Sequence, residues 1–111
     1  MQWTNLTTEA QWFELLEMSF TKPQVGFKHS TRCSISSVVK SRLERGGNGA
    51  NIRFHYLDVI AHRGLSQKIA EDIRVIHESP QVLIIKSGTC VYHESHSTIM
   101  MDEIVEKCMK D

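Results

Sequence analysis

Val82-Leu83-Ile84-Ile85 is apolar at every position, and it constrains this chain more than any other stretch. A strand on a protein surface alternates apolar and polar side chains, whereas one that does not must be covered on both faces. The run therefore predicts a central strand with helices packed above and below it. Ser87-Gly88 follows as a tight hairpin turn into a partner strand over 89–94. Such a sheet needs amphipathic helices to cover it.

Four helices are legible. Thr8 opens the first, Gln11 completes a capping box, and Trp12, Leu16 and Phe20, with Phe13 beside them, give an apolar face until Lys22-Pro23. A strand over 24–28, with Val25 and Phe27 alternating, leads to a second helix. Its apolar face is Ile35, Val38, Val39 and Leu43, and Gly46-Gly47 stop it, with 46–51 reading as a loop within the domain. Ile52, Phe54 and Tyr56 alternate in the next strand, extended by Leu57, Val59 and Ile60. Ser66 then reads as the cap of a third helix, with Leu65 and Ala70 as a staple and Ile69, Ala70 and Ile73 as its buried stripe. The last helix is expected from Ser97 or Thr98, carrying Ile99, Ile104, Val105 and Cys108.

The order α-βα-βα-ββ-α predicts an α/β fold: a four-stranded mixed sheet flanked by helices, parallel in its βαβ part and antiparallel at the hairpin. A length of 111 residues suits a single domain, 1–111. Thirteen Lys and Arg balance thirteen Asp and Glu, which removes any general electrostatic case for nucleic acid or anionic membrane. Residues 1–9 lack the basic-then-apolar pattern of a signal peptide, and no apolar run is long enough to span a bilayer. Three widely spaced cysteines do not look like a disulfide framework, so the expectation is a cytoplasmic chain with reduced thiols.

In that setting Cys33 stands out. It lies in Lys28-His29-Ser30-Thr31-Arg32-Cys33-Ser34-Ile35-Ser36, a polar, basic stretch that opens the second helix. The helix dipole and the free N–H groups of a first turn favour the thiolate, which is the nucleophilic form of cysteine. Ser36 stands where a dithiol oxidoreductase carries its second cysteine, so the segment reads as a C-x-x-S site without a local resolving thiol. Ser79-Pro80 precedes the central strand. X-Pro bonds are those in which cis is accessible, and a simple strand-start proline is the plainer alternative. A reactive cysteine after the first strand and a cis proline before the central one together point to a thioredoxin-like arrangement. In that arrangement the backbone of Ser79 pairs with an extended thiol substrate as a short β-bridge.

Phe27-Lys28-His29-Ser30, Cys33 with Ile35-Ser36, Leu57-Asp58-Val59-Ile60, Arg63 with Ser66, Ile69-Ala70, His77-Glu78-Ser79-Pro80-Gln81 and Ser95-His96 carry a family resemblance. Over nearly its whole length the chain resembles the bacilliredoxin family, the YtxJ-like bacillithiol-system redox-active proteins. The resemblance implies a monothiol, thioredoxin-like, cytoplasmic oxidoreductase that removes bacillithiol from proteins carrying it as a mixed disulfide. It implies no bound cofactor, bacillithiol as co-substrate, and bacillithiolated cytosolic proteins as partners. Cys33 is then the nucleophile, Ser36 replaces the resolving cysteine and hydrogen-bonds the sulfur, and Ser79 and Pro80 frame the thiol groove. Lys28, His29 and Arg32 add positive charge for the thiolate or for the malate carboxylates of bacillithiol. The family usually places proline directly after the cysteine; Ser34 supplies an N–H and a hydroxyl there instead.

Cys90 and Cys108 read as small buried hydrophobes. Cys90-x-x-His93-x-x-His96 has the look of a ligand series, but strand positions 90 and 93 project to opposite faces and do not converge on an ion. His55 and His62 read as sheet-edge or loop residues, and His77 as a group that orders the Pro80 loop or donates a proton. Two other functions are compatible with the pattern: a monothiol glutaredoxin-like protein sharing an iron–sulfur cluster, although this chain lacks C-G-F-S, and a non-catalytic interaction domain.

Overall fold

The computed structural model describes residues 1–46 and 52–110. In chain order its elements are β1 (Trp3–Asn5), α1 (Glu9–Met18), β2 (Gln24–His29), α2 (Ser34–Gly46), β3 (Arg53–Asp58), α3 (Arg63–Ile73), β4 (Gln81–Lys86), β5 (Thr89–Ser95), a short 3₁₀ turn (His96–Thr98) and α4 (Met101–Met109). The strands form one sheet in the order β1-β3-β2-β4-β5. β1, β3 and β2 run parallel, while β4 and β5 are antiparallel to their neighbours. This is the thioredoxin-like α/β arrangement. None of the described helices is long and apolar enough to cross a membrane.

The fully apolar run behaves as its composition requires. Val82 and Ile84 join the core beneath α2 and α4, while Leu83 and Ile85 join a second core beneath α1 and α3. Each face of β4 is thus closed by a separate helical layer.

The sheet has five strands rather than the expected four. The addition is β1, whose Trp-Thr-Asn sequence has no alternation long enough to read as a strand. Packing places it there. The Trp3 ring lies 5.6 Å from Phe27, 6.0 Å from Phe54 and 6.1 Å from Tyr56, and its indole N–H donates to Glu44 at 2.7 Å.

Helix faces also differ from the periodic reading. The Thr8–Gln11 capping box is present, but α1 buries Trp12 and Leu15, while Phe13 and Phe20 are exposed. The helix ends at Met18, so Phe20 leaves the helical period and instead covers Gly88. A Cβ on Gly88 would come within 3.0 Å of that ring, and its φ of +78° favours glycine in any case. Ser87 and Gly88 donate their N–H groups to Ser19, fastening the hairpin to the end of α1.

In α2 the buried positions are Ser36, Val39 and Leu43, leaving Ile35 and Val38 exposed. Ser36 is drawn inward by His29, which rotates the face by one residue. α3 begins at Arg63, not at a Ser66 cap; Ser66 lies within its first turn. The chain turns earlier because Asp58 Oδ1 accepts from the N–H groups of Ile60 and Ala61 at 3.0 and 3.1 Å. α4 starts at Met101, with Ile99 buried ahead of it rather than within it. Gly46 ends α2 against α4: a Cβ there would stand 2.9 Å from Met101 Cβ. The rest of the expected 46–51 loop lies outside the described residues.

His55 is not a sheet-edge residue. It is buried in β3 and donates Nε2–H to Gln24 Oε1 at 2.8 Å, since an amide oxygen can only accept. Burial, with Arg53 nearby, lowers its pKa to about 4 and keeps the ring neutral.

Candidate active site

Topology brings four separated segments to one end of the sheet. β2 and β3 run parallel and finish there, leading into the Cys33 loop and the 59–62 turn. β4 is antiparallel to β2 and therefore starts at that end, just after Pro80. β5, antiparallel to β4, finishes there at Ser95. Open α/β sheets build ligand sites beyond the carboxyl ends of their parallel strands for this reason.

Cys33 is half-buried and takes the N-cap position of α2. Its N–H donates to Ser30 O at 3.2 Å, and its carbonyl accepts from the Ser37 N–H at 3.2 Å. The sulfur thus stands at the positive end of a helix. Arg32 and Ser34, on either side, are exposed.

Ser36 sits one turn on and is fully buried. Its hydroxyl accepts from the Ser30 N–H at 3.1 Å and shares a 2.7 Å bond with His29 Nδ1. Those partners, rather than the expected sulfur, engage its Oγ. His29 stacks between Phe27 at 5.9 Å and Tyr56 at 5.5 Å. Burial and then the Lys40 charge lower its pKa, so it ties the Cys33 loop to the sheet as a neutral ring.

Lys28 turns to the other face. It is 1% exposed, and its ammonium donates to Ser66 O at 3.1 Å and to His77 Nδ1 at 3.2 Å. Burial pulls its pKa down to about 8. The basic residues quoted together from the sequence are therefore separated: Arg32 beside the sulfur, His29 under α2, and Lys28 against α3.

At the same end of the sheet as the Cys33 loop, the Ser79-Pro80 bond is cis. Ser79 Oγ is buried without a hydrogen-bond partner among the described residues. Pro80 O accepts from the His96 N–H at 2.9 Å, and His96 Nε2 meets Glu78 Oε2 at 2.9 Å, so the end of β5 clasps the proline loop. Gln81 orders the loop from within, donating to Ile76 O at 3.0 Å. His77 bonds Lys28 and Ser66 instead. His62 is the N-cap residue of α3 and makes no side-chain cap bond.

Cys108 is buried and Cys90 half-buried. Burial pushes the Cys108 thiol up to about 11 and raises that of Cys90 as well. A register shift between Ile84 and Ile85 corrects the parity argument about the ligand-like series. Cys90 pairs with Ile85 and His93 with Leu83, so the bulge puts both on the same face of the sheet. His96, held by Glu78, does not join them, and among the described residues no three His, Cys, Asp or Glu are grouped to hold a metal.

Several participants were not visible as such in the sequence. Asp58 and Gln81 act through loop bonds set only by the folded backbone. Arg63 stands beside Ser66 and His77 in a cleft that the assembled loops create.

Comparison with solved structures agrees with this geometry. A protein assigned provisionally as an oxidoreductase with a thioredoxin fold is 27% identical, with a TM-score of 0.82 over 93% of this chain and 90% of its own. Thioredoxin from Schistosoma mansoni, 18% identical, gives 0.79 over 98% and 100% of the two chains. Thioredoxin from Fasciola hepatica, also 18% identical, gives 0.74 over 95% of each. The last two share the fold alone. The family model for the monothiol bacilliredoxin BrxC matches residues 4–104. With a cysteine at the head of α2, a cis proline at the same end of the sheet and that match over most of its length, the chain belongs to the monothiol bacilliredoxin family.

Proposed function

We propose that this protein is a monothiol thiol–disulfide oxidoreductase that removes bacillithiol from protein mixed disulfides, with Cys33 as nucleophile. The Cys33 thiolate attacks the bacillithiol sulfur of the mixed disulfide. The old S–S bond breaks, a new one joins Cys33 to bacillithiol, and the released protein thiolate takes a proton from solvent. A second bacillithiol then attacks the adduct, yielding bacillithiol disulfide and returning the Cys33 thiolate. One disulfide is consumed and one produced, so no further oxidant is required. The setting this implies is a reducing cytoplasm.

The observation that carries the reading is the position of Cys33 at the N-terminus of α2, with a serine, Ser36, where a resolving cysteine would stand. The high thiol pKa values of Cys90 and Cys108 support an external resolving thiol, because neither is a ready internal nucleophile. Ser36 acts here as a positioning residue, holding the loop through His29 and Ser30. Ser34 and Arg32 face the solvent side from which a bacillithiolated protein arrives. The buried Ser79 Oγ and the backbone beside cis-Pro80 frame the opposite wall, where an extended substrate forms a short β-bridge.

Intact-mass analysis after incubation with bacillithiol disulfide tests this directly. Wild type should gain one bacillithiol and Cys33→Ser none. A bacillithiolated substrate protein should in turn release its thiol only with the wild type. An unmodified Cys33 with no released thiol would sink the assignment.

A further inference from the structure

On the α3 face of the sheet end that carries the Cys33 loop lies a cleft of about 340 Å³ lined by Val59, Ile60, Arg63, Ser66, Gln67 and His77. That volume is at the lower end of the range for small-molecule sites. The residues that line it cover a buried charge. Behind that lining, the Lys28 ammonium ends on Ser66 O and His77 Nδ1, and among the described residues it forms no salt bridge. Burying a cation without an anion costs several kcal/mol, and an incoming anion would offset that cost. Further positive character converges on the cleft. Arg63 stands at its rim, on the first turn of α3, which carries no acidic residue and receives no side-chain cap bond from His62. An ammonium only donates, so His77 Nδ1 accepts from Lys28 and the proton of the neutral ring sits on Nε2, a further donor. Burial and the Lys28 charge keep that ring neutral. Val59 and Ile60 supply an apolar wall, and the Val59 N–H donates to His29 O at 3.0 Å, joining the cleft to the strand that leads to Cys33.

We infer that this cleft holds the dicarboxylate end of the small thiol, with Arg63 as its cationic contact and the Lys28 charge behind the lining attracting it, while the thiol's sulfur engages Cys33. The assignment rests on the exchange reaction proposed above and adds Arg63, Gln67 and His77 to the residues that recognise bacillithiol. A free organic dicarboxylate has the same chemistry, and the test separates the two sources.

L-malate is the probe for the dicarboxylate. Titrated into the protein, it should cause saturable NMR shifts in Val59, Arg63, Gln67 and the His77 ring. Arg63→Gln, a surface change, should weaken that binding about tenfold, as expected for losing a charge-assisted hydrogen bond. Lys28→Met should weaken it as well, through loss of the charge behind the lining. In turnover, Arg63→Gln should raise the KM for a bacillithiolated peptide about tenfold while moving kcat less than twofold. The KM for the same peptide carrying cysteamine, which has no carboxylate, should not move. No saturable malate shift, or malate binding indifferent to Arg63→Gln, overturns the anion site. Malate binding that depends on Arg63 alongside an unchanged KM for the bacillithiolated peptide overturns the thiol as occupant and leaves a site for free dicarboxylates. Failure of wild-type Cys33 to take up bacillithiol in the intact-mass assay instead sinks the exchange reaction, whatever malate does.

Discussion

Acidification should destabilise this protein through His55. The ring lies within β3 at 3% exposure and donates one N–H to Gln24, itself buried. A second proton would place a cation between strands beside Arg53, which already opposes it. Burial is the larger cause, and together they lower the pKa from 6.5 to about 4. Between those values the unfolded chain binds a proton that the native state rejects. Stability is therefore fully present above about pH 6.5, falls as pH drops, and stops falling through this group near pH 4. The slope approaches about 1.4 kcal/mol per pH unit. From pH 7 to pH 5 the loss attributable to His55 is about 2 kcal/mol, a large part of a small domain's stability. His29 and His77, also lowered by burial, add to it with the same sign. Urea denaturation at pH 7, 6 and 5 on wild type and His55→Gln isolates the term, and the His55 ring proton followed by NMR should titrate near pH 4. Parallel pH profiles for the two proteins, or a His55 midpoint near 6.5, would refute the reasoning.

A brief pulse of maleimide at pH 7.5 should modify Cys33 alone, read by peptide mass, because burial raises the Cys90 and Cys108 thiols; early double labelling would contradict this. Trp3→Ala should cost about 3 kcal/mol in urea denaturation, losing aromatic packing and the Glu44 bond together. A loss below about 0.5 kcal/mol would mean that β1 adds nothing to the sheet. Gly46→Ala would ordinarily gain up to about 1 kcal/mol of helix propensity. Here the new methyl meets Met101 Cβ at 2.9 Å, and overpacking of about 1–3 kcal/mol should win, lowering Tm.

Local signals read well wherever chemistry and period act over a few residues. The all-apolar strand, the Thr8–Gln11 box, the Ser87-Gly88 turn and the Cys33 loop at the head of a helix depend on neighbours in the chain, and each is where its residues place it. Trp3–Asn5 is too short to carry a period, and becomes a strand because distant aromatics surround Trp3. Helix faces were legible only to within a residue. Ile35 looks as apolar as Val39, but the short bond from Ser36 to His29 decides which of them turns inward.

The site divides along the same line. By itself the sequence determined a cysteine just before a helix, a serine three residues on and the proline before the central strand, because those are matters of residue type and order. Only the tertiary structure decided where the charges point. Alternation along β2 sends His29 to α2 and Lys28 to α3, and which strands flank them settles what each meets. The five-stranded order and the bulge in β5 were likewise beyond local reading. Both arise from pairing and packing between segments far apart in sequence, whose energies are absent from any short window of residues.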